Sequence, residues 1–118
     1  MDNYITNGNI IIFNPWYNKP LSPELLSSYK KIIFSNYELN EGLFENYDNL
    51  QNLKYIGSCF NQPLGNSLDK CTELTHIRFG DYFNQPLLNY LYNCTALISY
   101  KIFVFKQFLW GSVGGDIY

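Results

Sequence analysis

Arginine and histidine are represented by a single residue each, Arg78 and His76, in a chain of 118 residues. Eight basic residues stand against ten acidic ones, for a formal net charge of -2. There is no basic stripe to neutralise a phosphate backbone or an anionic bilayer, so neither nucleic acid nor membrane is expected as a partner. The three cysteines, Cys59, Cys71 and Cys94, form no C-x-x-C pair, which removes the usual zinc and thiol-redox patterns, and no metal or other cofactor is expected. The longest apolar stretch, Ile98 to Trp110, is broken by Lys101, Lys106 and Gln107 and falls short of the roughly 20 residues a membrane span requires. The opening MDNYITNGNIII lacks the charged and apolar regions of an export leader, and so few cysteines argue for an intracellular, cytoplasmic protein. The sequon Asn93-Cys94-Thr95 is accordingly expected to go unused.

What the chain has is repetition. The pentapeptide FNQPL occurs at Phe60 to Leu64 and again at Phe83 to Leu87, and behind the two copies Leu68 aligns with Leu91, Cys71 with Cys94, Thr72 with Thr95 and Leu74 with Leu97. Looser copies lie at Tyr17 to Leu21 (YNKPL), Leu39 to Leu43 (LNEGL) and Phe105 to Leu109 (FKQFL). The five anchors, Tyr17, Leu39, Phe60, Phe83 and Phe105, are spaced by 22, 21, 23 and 22 residues, a period that signals a solenoid. Upstream of each anchor an alternating apolar run reads as a short strand, and downstream the three-residue step Leu68, Cys71, Leu74 is compatible with a turn of helix or 3-10 helix. The Asn that recurs at Asn18, Asn40, Asn61 and Asn84 has a side chain able to bond loop backbone groups left without ladder partners.

The fold class expected is therefore an α/β repeat solenoid. It is an LRR-like, right-handed stack of about five coils, with a parallel sheet on one side and short helical or 3-10 turns on the other. One domain covers residues 1–110, and a flexible Gly-rich tail covers 111–118. A coil of about 22 residues cannot bury its own apolar edge, so stacking supplies the core; the 47% hydrophobic and 19% aromatic content is sufficient for that, and core packing is the expected role of the aromatic residues.

Residues Leu53 to Leu97, with the two FNQPL copies and the intervening Leu74-Thr75-His76-Ile77-Arg78-Phe79-Gly80, resemble the FNIP repeat, an LRR-like unit named for its Phe-Asn-Ile-Pro signature. Cys71-Thr72-Glu73-Leu74 is also similar to a segment of the BspA-type leucine-rich repeats. The resemblance implies protein binding and no catalytic residues. FNIP repeats are known from amoebal proteins and giant viruses, where they often follow an F-box that docks to a ubiquitin ligase scaffold. About 16 residues precede the first anchor here, too few for a three-helix F-box. The expected function is thus a non-catalytic protein interaction module. The alternatives are a degenerate or truncated array fragment without activity of its own, or the recognition part of a ligase adaptor lacking its F-box.

If the strands lie parallel, one outward column holds Ile10, Lys31, Tyr55, His76 and Ser99, and a second holds Ile12, Ile33, Gly57, Arg78 and Lys101. These positions form the expected contact face, apolar at one end and basic at the other, and able to bury about 500–800 Å² against an unidentified protein partner. On this reading His76 is an exposed contact residue and not a proton shuttle, the cysteines are stacked buried thiols, and Glu38, Glu41, Glu45 and Asp48 are a solvated acidic edge. The segment Lys101 to Trp110, apolar on both faces, is expected to form a hydrophobic cap with a weak tendency to self-associate.

Overall fold

The computed structural model describes residues 3–35, 37–45, 58–80, 82–104 and 107–112. Strands β1 (Tyr4–Asn7) and β2 (Ile10–Phe13) are followed by helix α1 (Pro23–Leu26), strand β3 (Lys31–Phe34) and helix α2 (Gly42–Glu45). Strand β4 (His76–Arg78), a 3-10 turn (Leu88–Tyr90) and strands β5 (Ser99–Val104) and β6 (Gln107–Ser112) complete the order. The six strands form one sheet in chain order; β2 to β5 run parallel, and β1 and β6 close the two edges antiparallel.

Local sequence accounts for each element. Ile10–Phe13 and Lys31–Phe34 are runs of β-branched and aromatic residues that suit a pleated, half-buried surface. The β1–β2 hairpin turns at Gly8, whose φ of 60° is the left-handed conformation such a tight turn requires. Ser22 caps α1 by accepting from the Leu25 N–H at 3.3 Å, Pro23 fills the first turn, and the helix ends after four residues.

One side of the sheet carries Ile11, Phe13, Ile32, Phe34, Ile77 and Phe79, all buried against Leu21, Leu26, Leu64, Leu68, Cys71, Leu74, Leu87, Cys94 and Leu97 from the connecting segments. Two files of nearly parallel rings run through this core. In the strand file Phe13 lies 5.0 Å from Phe34 and Phe34 lies 5.3 Å from Phe79. In the loop file Tyr17 lies 6.1 Å from Phe60 and Phe60 lies 5.9 Å from Phe83. The files lock together where Phe34 meets Phe60 at 4.3 Å and Phe79 meets Phe83 at 4.0 Å.

Beside the loop file runs an amide ladder. Asn18 Oδ1 accepts from the Asn61 N–H at 2.9 Å and from Gln62 Nε2 at 3.0 Å. One step on, Asn61 Oδ1 accepts from the Asn84 N–H at 2.8 Å and from Gln85 Nε2 at 3.0 Å. The second step spans 23 residues and the first spans 43, so LNEGL is passed over. The strands show the same jump: the Thr75 N–H donates to the Lys30 carbonyl, 45 residues away, at 2.7 Å, and β4 pairs directly with β3.

Three expectations are thereby corrected. The anchors Tyr17, Phe60 and Phe83 are neighbours, and Leu39 is not between them. Leu43 instead packs on the opposite side of the sheet with Ile12 and Ile33, flanked by Ile5, Ile10, Leu39 and Phe44. Of the last anchor, Gln107 to Leu109 belong to strand β6 and make no loop. The expected tail loses its first two residues, because Gly111 and Ser112 pair with Tyr100 and Ser99. The N-terminal strand β1 had no counterpart in the repeat pattern. Positions 113–118 lie outside the described residues.

Candidate functional site

The strand register brings Ile10, Lys31, His76 and Ser99 into one row and Ile12, Ile33, Arg78 and Lys101 into the next. Tyr55 and Gly57 lie outside the described residues, and β3 pairs directly with β4, Lys31 with His76 and Ile33 with Arg78. Ile10, Lys31 and His76 are half-buried, and Ser99 and Lys101 are placed by register alone.

The second row is not an open contact surface. Ile12 is 0% exposed, Ile33 2% and Arg78 2%. For the isoleucines the expectation of an open surface fails for a definite reason: Leu39, Leu43 and Phe44, from residues 37–45, are seated on them. The polar bonds described for this stretch stay close in sequence. The Tyr37 N–H donates to Ser35 Oγ at 2.9 Å, Asn40 Nδ2 to the Glu38 carbonyl at 3.1 Å, the Leu43 N–H to the Asn40 carbonyl at 3.1 Å and the Phe44 N–H to the Glu41 carbonyl at 3.3 Å. Apolar contact is therefore a principal hold on the sheet. Of the expected acidic edge, Glu38, Glu41 and Glu45 are exposed along this stretch; Asp48 lies outside the described residues.

Exposed aromatic residues lie elsewhere. Trp16 is 56% exposed and Tyr82 59%; each directly precedes a ring of the loop file, as Cys59 precedes Phe60, and Cys59 is exposed as well. The Cys59 N–H donates to the Pro15 carbonyl at 2.7 Å, which sets residues 16 and 59 on adjacent loops. Tyr37 and Tyr92 are also exposed, at 47% and 87%, so core packing is not the role of these four aromatics. A signal for the pair was present in the sequence. Where an extended loop turns one ring inward, the residue before it points out, and that residue is Trp in one copy and Tyr in another.

His76 Nδ1 lies 2.9 Å from the Thr75 hydroxyl. All three thiols are free. Burial pushes Cys71 up to about 12, with the Cys94 and Asp69 charges adding to it. Burial likewise pushes Cys94 up to about 11, with Asp69 contributing. Cys94 Sγ makes a long contact of 3.8 Å to the Leu68 carbonyl. Thiols held protonated in an apolar setting are poor nucleophiles and poor metal ligands. No cluster of three or more His, Cys, Asp or Glu able to hold a metal occurs among the described residues, and no helix among them is long and apolar enough to cross a membrane.

No protein-family model, curated protein or solved structure matches this chain.

Proposed function

We propose that the chain is a short LRR-like repeat solenoid of the FNIP type and that it acts as a non-catalytic protein interaction module. The observation that carries this reading is the exposure of Trp16 and Tyr82 on loops that cannot easily move. Their neighbours Tyr17 and Phe83 are fixed in the ring file, and Asn18 and Asn84 are fixed in the amide ladder. Rigidly held aromatic side chains bring large contact area at low entropic cost, which is why they are enriched at protein interfaces. Buried, protonated thiols and the absence of any disulfide among the cysteines support an intracellular, cytoplasmic setting. The outer edge of β6 supports weak self-association in addition.

The test is quantitative affinity purification with wild-type protein and the double variant Trp16→Ser/Tyr82→Ser, both confirmed to melt at the same temperature. A defined set of polypeptides recovered with the wild type and lost with the variant is expected. Recovery that does not depend on the aromatic pair would overturn the reading.

A further inference from the structure

Residues 37–45 sit on the chain as a ligand would. Among the described residues, the main core of seventeen buried residues includes none of them, and their apolar contacts belong to a separate small cluster with Ile12 and Ile33. The stretch reads YELNEGLFE, with three glutamates and no basic residue. The same face of the sheet carries Ile12 and Ile33 at one end and, by register, the basic residues Lys31, Arg78 and Lys101 toward the other. Leu39, Leu43 and Phe44, at i, i+4 and i+5, meet the isoleucines, and the glutamates between and beside them give the stretch a charge opposite to that of the face. Hydrophobicity and charge sign both match.

We propose that this sheet face is a docking surface for an acidic segment of a partner polypeptide carrying a Leu-x-x-x-Leu-Phe pattern, and that residues 37–45 are an internal strap which the partner displaces. The proposal rests on the reading of the chain as an interaction module but concerns a different face from Trp16 and Tyr82. A tethered strap that would itself bind the face at about 0.1 mM, held at an effective concentration on the order of 1 mM, lowers the apparent affinity of any competing partner by roughly tenfold. The face is thus closed to weak acidic peptides and open to those that bind better than the strap.

The probe is the fluorescein-labelled peptide YELNEGLFE, titrated by anisotropy against the wild type and against a variant in which Tyr37 through Glu45 are all replaced by Gly or Ser. Because the main core contains no residue of the strap, the variant is expected to melt cooperatively. It should bind the peptide about tenfold more tightly than the wild type. That binding should weaken several-fold on adding Lys31→Glu or Lys101→Glu, and weaken again as salt is raised. Equal affinity of wild type and variant, no binding to a cooperatively melting variant, or loss of cooperative melting would each overturn the proposal, the last by making the strap part of the fold. A wild-type dimer that disappears when the strap is replaced would also overturn it, by assigning the face to a second copy. The Trp16→Ser/Tyr82→Ser variant should bind the probe like the wild type, so failure here and failure of the interaction-module reading are separable.

Discussion

Phe60-Asn61-Gln62-Pro63-Leu64 and Leu39-Asn40-Glu41-Gly42-Leu43 share the skeleton apolar-Asn-x-x-Leu, yet one is built into the centre of the molecule and the other lies outside the stack. Asn61 connects two neighbouring loops, accepting from Asn84 and Gln85. Among the described residues Asn40 donates within its own neighbourhood, at the Glu38 carbonyl. Three differences of side chain explain the outcome. Phe60 has a ring to insert between Tyr17 and Phe83, whereas Leu39 has none. Gln62 has an amide N–H to give to Asn18, whereas the Glu41 carboxylate is only an acceptor and would face the Asn18 oxygen as a like partner. Pro63 holds the loop extended, and Gly42 does not. A repeat copy therefore enters the stack only if its side chains satisfy the copy before it. The first copy is exempt at the third place, where Lys19 stands, because in the ladder Asn18 serves as an acceptor.

The largest expected effect is at the rings. Phe60→Ala removes the residue on which both files converge and should cost about 3–5 kcal/mol. Phe44→Ala, at the half-buried end of the strap, should cost roughly 1 kcal/mol. Urea unfolding of the two variants measures the contrast directly, and equal costs would break the distinction between stack and strap.

Alkaline pH separates the regions next. Cys71 and Cys94 lie in the main core and hold their protons to about 12 and about 11. Thiols of the unfolded chain ionise from about 8.5. Above that value the unfolded state binds fewer protons than the folded one, so stability falls as pH rises. The contribution is unchanged at pH 7 to 8 and is lost progressively between about pH 9 and 11. Cys71→Ala should roughly halve that slope. In native protein a thiol reagent should label Cys59 alone, with Cys71 and Cys94 reacting at the rate of unfolding.

The ladder gives a finer test. Asn61→Ala strands the Asn84 N–H and the Gln85 amide and should cost about 1–2 kcal/mol, while Asn40→Ala should change stability by less than about 0.5 kcal/mol. Asn61→Asp keeps both acceptor roles and should retain most of the wild-type value, which identifies the acceptor, and not the amide as such, as the requirement. Smallest of all is Lys70→Ala. Its 3.2 Å ion pair with Glu24 joins side chains 59% and 72% exposed, and no resolvable shift in the urea midpoint is expected.

Much of the ladder was legible in the chain. The 23-residue offset between the FNQPL copies is the offset at which Asn84 bonds Asn61, and the aligned pairs Cys71 with Cys94 and Leu74 with Leu97 are buried together, with Leu91 partly buried against the same core as its aligned partner Leu68. The strands Ile10–Phe13 and Lys31–Phe34 were legible too, as short runs rich in β-branched and aromatic residues. The burial of Ile12, Ile33 and Arg78 was not. Alternation assigns them to the second face of the sheet but carries no information about what lies over that face.

The sequence by itself determined which residues are equivalent and which side chains can pair, since the period and the Asn, Gln and Phe of each copy are local facts. Only the tertiary structure decided which copies stack and which one crosses to the far side of the sheet. The physical reason is that a spacing of 22 or 43 residues serves a coil equally well as a sequence distance, and the choice depends on whether rings and amides find partners once the neighbouring coil is in place.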